Sequence, residues 1–115
     1  MREINFRAWA ELAQEMIEDI ANVKAYQSQG FYLMQYTGLL DKNGREIYEG
    51  DIIRGTKKLV VDDKLTTLKR LFVCEYSNEF ARFSLIREHA PYSWSDVGKL
   101  EVIGNIYEDT GLIPS

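Results

Sequence analysis

Cysteine and histidine are scarce in this sequence, which has one of each, Cys74 and His89. A lone cysteine cannot form a disulfide within the chain, so folding does not require an oxidising compartment. A structural zinc site needs about four Cys or His ligands, and this sequence has too few. These shortages predict no structural metal and favour a reducing, cytoplasmic environment.

Long apolar runs are also missing. No run approaches the roughly 20 apolar residues of a membrane span, and Arg2, Glu3 and Arg7 place charges where a secretory signal is apolar. Neither G-x-G-x-x-G nor G-x-x-x-x-G-K-[ST] occurs, so the glycines predict no phosphate-cradling loop. We therefore expect no membrane association, no export and no bound cofactor.

What the sequence does contain is the composition of one soluble globular domain. It has 115 residues, of which 45% are hydrophobic and 28% are charged, and this balance is typical of a chain with a single core. We therefore expect one domain over residues 1–115. The formal net charge of −4 disfavours nucleic acid as the main partner, because phosphate binding relies on clustered Lys and Arg.

The spacing of apolar residues predicts one strand and one helix near the N-terminus. Residues 2–8 alternate apolar and polar side chains, which is typical of a half-buried strand. From Trp9 to Val23 the apolar residues recur every three or four positions, which indicates an amphipathic helix over residues 9–24. Further strands are predicted at residues 31–36, 52–55, 71–76, 80–86 and 100–107, with a β-ribbon over 56–64.

Turn residues connect these strands without any β-α-β alternation. Asn43-Gly44 favours a hairpin or sharp reversal, Gly50 is expected at positive φ before a strand, and Gly104 predicts a bulge or bend. Residues 89–98 are predicted to form a loop. The predicted fold class is therefore mainly β, a small, strongly bent antiparallel sheet or partly open barrel, with one amphipathic N-terminal helix.

Catalytic candidates are few. Cys74 lies within an apolar strand, where a structural role outweighs that of a nucleophile. His89 follows Glu88 in a loop, and without a positioned nucleophile it fits a surface histidine better than a general base. Acids around the two turns could bind a cation or exchange protons, but acids at such corners commonly accept backbone N–H bonds. The acids at these two turns are Asp41, Glu46, Glu49 and Asp51. We predict no enzymatic activity.

Nucleic-acid binding is the alternative function that the sequence leaves open. Basic residues and aromatic residues are mixed between Lys57 and Arg87, as in small barrels that bind single strands. Acids in the same region dilute this charge. The test is whether the basic residues share one face of the sheet; they are Lys57, Lys58, Lys69, Arg70 and Arg82.

Three segments are less generic than the rest. They are Met1–Trp9, the stretch from Leu33 through the Asp41–Ile53 motif DKNGREIYEGDII, and the closing EVIGNIYE of residues 101–108. In their order and spacing they resemble the YopX-like family, which is encoded by phages and prophages. Ala10 departs from the family pattern, which usually carries an acid there, and the predicted helix over residues 9–24 resembles a variable insertion between the first two segments.

This resemblance implies a small β-rich domain and carries no established activity. We therefore expect an accessory protein without catalysis that acts through protein contacts, as a homo-oligomer or with a host or phage protein. One possible interaction edge lies within the family segments; its residues are Gln35, Tyr36, Thr37, Tyr48 and Glu49.

Overall fold

The computed structural model describes residues 5–18, 20, 30–88 and 90–113. In this part of the chain, nine strands and two short 3-10 helices alternate with tight turns. The strands are β1 (Phe6–Ala10), β2 (Glu15–Ile17), β3 (Phe31–Leu40), β4 (Glu46–Tyr48), β5 (Asp51–Val61), β6 (Lys64–Ser77), β7 (Arg82–Arg87), β8 (Ala90–Tyr92) and β9 (Gly98–Asn105). The 3-10 helices are Trp94–Asp96 and Thr110–Leu112.

The strands form two antiparallel sheets. The first has the order β2-β1-β3-β4, and the second has the order β8-β7-β6-β5-β9. The second sheet curls into a half-barrel, which confirms the prediction of a mainly β fold with a strongly bent sheet. No helix in the described part of the chain is long and apolar enough to cross a membrane.

The core lies on one face of the curled sheet, which we call the core face. Ile53 is directly opposite both Phe72 and Val102, and all three are buried. Cys74 and its partner Leu85 extend this layer, and Ile47 from β4 and Val97 close it. The other face, the outer face, is also buried where Ile52 is opposite Val73. Both faces of the sheet are therefore covered near the start of β5.

The predicted N-terminal helix is wrong. Trp9 and Ala10 continue β1 and pair with Tyr32 and Phe31 of β3, and a turn at residues 11–14 leads into β2. Gln14 has φ 54°, which an α-helix does not accommodate. Trp9 is 3% exposed and stacks on Tyr107, so burial against a distant residue overrides the local helical spacing. Residues 19 and 21–24 of the predicted helix lie outside the described part.

Most of the predicted hairpins are confirmed. The ribbon over residues 56–64 forms from β5 and β6, whose connecting residues Asp62 and Asp63 both have positive φ. This geometry matches the right-handed twist of the strands. The hairpin of β6 with β7 is also present, as is the turn between β3 and β4, where Gly44 has φ 81°. Local turn chemistry therefore defines these elements.

Of two predictions near the C-terminus, one is confirmed and the other is confirmed only in part. The register of β9 against β5 shifts between the Ile52 and Ile53 pairs, next to Gly104, which confirms the predicted bulge. The predicted loop over residues 89–98 is only partly confirmed, because β8 and the first 3-10 helix form within it. Trp94 holds this segment to the sheet by donating its indole N–H to the carbonyl of Phe83 at 2.9 Å.

Gly50 connects the two sheets at a sharp corner. Its φ of 88° confirms the expected positive value. Its N–H donates to the Cys74 carbonyl at 2.8 Å, and its own carbonyl accepts from the Ile106 N–H at 2.9 Å. A Cβ at this position would lie 3.1 Å from the Met34 sulfur. The corner therefore requires both the backbone freedom and the small size of glycine.

We expect Gly50→Ala to lower the free energy of unfolding by about 1 kcal/mol or more, because a Cβ is strained at positive φ. Chemical denaturation of the two proteins measures this difference. Gly111→Ala is the matched control, since a Cβ there meets nothing within 4 Å. Equal midpoints for the wild type and Gly50→Ala would contradict the conclusion that this corner requires glycine.

Candidate functional site

A buried ion pair joins the two sheets. The Arg7 Nη2 on β1 lies 2.6 Å from the Asp51 Oδ1 at the start of β5, and the two side chains are 6% and 2% exposed. The second carboxylate oxygen accepts the Tyr48 N–H at 2.7 Å. Burial raises the pKa of Asp51, and the Arg7 guanidinium and the Tyr48 N–H oppose that rise. The Arg7 guanidinium also lies 4.6 Å from the centroid of the Tyr48 ring. Both oxygens of Asp51 are thus occupied by structural partners.

Asp41 makes a second connection between the sheets. Its Oδ1 accepts the N–H groups of Asn43 and Arg45 at 2.9 Å each, which closes the turn after β3. Its Oδ2 accepts the Val102 N–H on β9, also at 2.9 Å. Burial raises the pKa of Asp41, but the three N–H bonds lower it more, so the net pKa is below its ordinary value. Asp41 therefore serves both a turn and an inter-sheet contact.

Among the described residues, the catalytic candidates from the sequence do not form a common site. Asp41 and Asp51 accept backbone N–H bonds, Glu49 accepts the Gln35 N–H at 3.3 Å, and Glu46 is exposed. Cys74 is fully buried, and burial raises the pKa of its thiol far above the ordinary value. No group of three metal-ligating side chains occurs among the described residues. His89 lies outside the described residues.

The predicted interaction edge is mostly inside the protein. Tyr36, Thr37 and Tyr48 are 7%, 6% and 5% exposed, so the expectation that they are exposed is wrong. Thr37 donates its hydroxyl to the Ile47 carbonyl at 2.8 Å, and the two tyrosine rings are 5.6 Å apart. Gln35 and Glu49 are half-buried and bond to each other across β3 and the turn after β4. These five residues support the fold where strands meet.

The predicted basic residues do not share one face. The strand register places Lys58, Lys69 and Arg82 on the outer face. It places Lys57 and Arg70 on the core face, where the Lys57 ammonium lies 3.9 Å from the centroid of the Tyr92 ring. Arg82 is opposite Ser77, eight residues along β6 from Lys69, which is about 26 Å away on an extended strand. The five residues therefore form no continuous nucleic-acid surface.

A different set of basic residues does converge, in what we call the cationic groove. The groove has a volume of about 330 Å³ and lies on the outer face where β5, β6 and β9 meet. Glu101 is the only acid among the described residues that line it, and it bonds Arg54 at 2.6 Å and lies 3.8 Å from the Lys42 ammonium. The polar side chains that line the groove besides Glu101 are Lys42, Arg54, Thr56, Thr67, Lys69 and Lys99.

The second prominent surface is the part of the β5–β6 hairpin that extends past the sheet, residues 57–70, which we call the arm. Pairing of β5 with β9 ends at Thr56, and pairing of β6 with β7 begins at Val73. Within the described residues, the two strands of the arm therefore pair only with each other. Four exposed aliphatic side chains lie near its tip: Leu59 (38%), Val60 (71%), Val61 (49%) and Leu65 (68%).

Sequence reasoning missed Arg7, three residues of the cationic groove and the arm tip. The sequence does contain a signal for the Arg7–Asp51 pair. Arg7 is a charged residue inside a predicted strand, and Asp51 is an acid directly before the apolar Ile52-Ile53 pair. Lys42, Arg54 and Lys99 come from separate segments, so no local pattern in the sequence brings them together. The exposure of the arm tip depends on where the neighbouring strands end.

Comparisons with known proteins give a family match and a similar solved structure. A family model described as YopX protein matches residues 18–114. The chain is similar to the crystal structure of protein EF1440 from Enterococcus faecalis, with 24% sequence identity and a TM-score of 0.64, over 97% of this chain and 99% of that chain. No curated protein matches the chain.

We expect Arg7→Met to lower the free energy of unfolding by about 3–5 kcal/mol, because it leaves the Asp51 carboxylate buried and without its counter-charge. Adding Asp51→Asn should recover part of this loss, since the amide oxygen can still accept the Tyr48 N–H. Chemical denaturation of the single and double variants forms a double-mutant cycle. Simple additivity would contradict a coupled pair.

Asp41→Asn should destabilise the protein by about 1–3 kcal/mol at neutral pH, because the amide group cannot accept all three N–H bonds. The lowered pKa means that the carboxylate stabilises the fold above its unfolded pKa of about 3.9, and that this stabilisation is lost as pH falls through the folded pKa. The stability gap between wild type and variant should therefore shrink in acid. Urea unfolding of both proteins from neutral pH down into acid measures this difference in stability. A difference that stays constant with pH would contradict the prediction.

Proposed function

The chain belongs to the YopX family, and from this premise we propose that it is a phage or prophage accessory protein that acts through protein contacts and not through catalysis. The family resemblance of the three sequence segments supports the phage origin. The burial of Cys74 and the use of Asp41 and Asp51 by backbone N–H groups support the non-catalytic role. The observation that carries the proposal is the arm with its exposed aliphatic tip.

The arm has the properties of a contact surface. An isolated two-stranded hairpin is marginally stable in water, and here both outer backbone edges lack strand partners among the described residues. Exposed edges and clustered aliphatic side chains favour association with another chain. Val60 and Leu65 are directly opposite each other, so their two exposed side chains form one apolar patch on the outer face.

The occupant that we propose is a second copy of this chain. The arm contains five Lys or Arg and two Asp, a net charge of +3, so the rest of the chain carries −7. The arm of one copy is therefore complementary in charge to the body of another, while two arms repel each other. An arm that docks on the acidic body of a partner would bury its aliphatic tip at the same time.

Sedimentation velocity tests the proposed self-association. We expect a dimer or larger assembly at low salt that dissociates as ionic strength rises, because salt screens the charge attraction. The double variant Val60→Ser, Leu65→Ser should shift the equilibrium toward monomer, since it removes the apolar patch from the contact. Leu12→Ser is the matched control, because Leu12 is fully exposed in the turn after β1.

A monomer at every concentration and salt condition would refute self-association. Pull-down from a bacterial lysate with the wild-type chain and with the arm variant then tests the remaining form of the proposal. A protein retained by the wild type and by Leu12→Ser, but lost with Val60→Ser, Leu65→Ser, would identify a host partner of the arm. Equal retention by all three proteins would exclude the arm as the contact surface.

A further inference from the structure

The cationic groove brings four basic side chains together from four separate segments. Lys42 comes from the turn after β3, Arg54 from β5, Lys69 from β6 and Lys99 from β9. Against Glu101 as the only acid among the lining residues that the structure describes, these give the groove a local net charge of +3 in a chain whose total is −4. Cations concentrated in this way on an acidic protein create a local field that attracts an anion.

Two cations of the groove are not neutralised by any residue that the structure describes. Arg54 and Lys42 are engaged by Glu101, and the bond from Arg54 lowers the pKa of Glu101, which keeps it ionised. The side chains of Lys69 and Lys99, by contrast, make no ion pair or hydrogen bond with the residues that the structure describes. Two ammonium groups are thus available to a ligand in the groove.

The backbone at Lys99 is unusual and supports the same interpretation. Lys99 has φ 50°, in the left-handed region that lysine rarely adopts. It lies where the register of β9 against β5 shifts, between the Arg54 and Thr56 pairs. Bulges of this kind redirect a side chain, and this one leaves Lys99 lining the groove. Backbone strain of this type concentrates at functional sites.

The donor set favours phosphate over carboxylate. The planar fork of Arg54 suits carboxylate and phosphate alike, and it is already bonded to Glu101, so it does not distinguish between them. The remaining groups are two ammonium ions and the hydroxyl of Thr67, which suit a multiply charged tetrahedral oxyanion. The Thr56 hydroxyl already donates to the Gly98 carbonyl at 3.1 Å. Among the residues that the structure describes, no aromatic ring lines the groove, so these residues offer no platform on which a base could stack.

From these observations we propose that the cationic groove binds a phosphate group, held by Lys69 and Lys99 with the Thr67 hydroxyl beside them. The phosphate could belong to a small phosphate ester or to the backbone of a nucleic acid, which share this chemistry. Lys69 and Thr67 belong to the arm, but the proposal depends neither on the aliphatic tip of the arm nor on self-association.

Amide chemical-shift titration of the full chain at low ionic strength tests the proposal, with inorganic phosphate as the first probe. We expect saturable shifts at Gly55, Lys69 and Lys99 and not at the arm tip. Lys69→Gln should weaken binding about tenfold or more, because it removes a charge-assisted hydrogen bond. Lys64→Gln, on the same strand but on the core face, removes the same charge and should leave the affinity unchanged.

Further probes distinguish the source of the phosphate. Tighter binding of a mononucleotide than of a short DNA duplex would assign a small phosphate ester, and the reverse, with steep salt dependence, would assign a nucleic-acid backbone. Shifts that do not saturate, or equal weakening by Lys64→Gln and Lys69→Gln, would overturn the proposal in favour of diffuse surface charge. Binding of polyglutamate but not of phosphate would also overturn it.

Lys99→Asn gives a second test that does not depend on Lys69. Asparagine tolerates the left-handed conformation, so this variant removes the ammonium group and keeps the backbone. We expect an unchanged unfolding midpoint together with a loss of phosphate affinity comparable to that of Lys69→Gln. Full retention of phosphate affinity by a folded Lys99→Asn protein would contradict the assigned role of Lys99.

Discussion

The structure depends on how the two sheets are joined, and the Arg7–Asp51 pair is the central contact. A buried carboxylate is costly unless it is fully bonded, and Asp51 meets this requirement only when β1 and β5 are correctly placed. The same carboxylate fixes the tight turn through the Tyr48 N–H. Gly50, between these residues, bonds both to Cys74 in the core and to Ile106 after β9. One short corner thus sets the position of β4, the start of β5 and the segment after β9 relative to one another.

Asp41 also joins the two sheets through a carboxylate in a turn. It lies after β3 and accepts the Val102 N–H on β9. This explains why the family segments are rich in turn residues and acids although no common catalytic geometry forms from them. Asp41 and Asp51 accept backbone N–H groups at points where the sheets meet. Their close spacing in the sequence reflects two adjacent corners of the chain.

The sequence predicted the elements that depend on neighbouring residues, and it did not predict those that depend on residues distant in the sequence. Asn43-Gly44, Gly50 and Gly104 act locally, and each was correctly assigned from turn chemistry alone. The predicted N-terminal helix was wrong because the spacing of apolar residues from Trp9 onward fits either a helix or a strand. The strand forms because Trp9 packs against a distant partner, Tyr107. The candidate surfaces were least predictable. The predicted interaction edge is not exposed, because Tyr36 packs against Tyr48 and Thr37 bonds to the Ile47 carbonyl between β3 and β4. The cationic groove joins residues as far apart in sequence as Lys42 and Lys99.

The arm has a consequence for how this protein can vary. Its two strands are contiguous in sequence and closed by the Asp62-Asp63 turn, so their length can change without altering a contact between the sheets. Loss or gain of two residues in each strand would move the tip by about 7 Å and keep every side chain on its face. A change of one residue in each strand would instead exchange the two faces of the tip. The reach of the arm and the surface it presents can therefore diverge between relatives while the body stays the same.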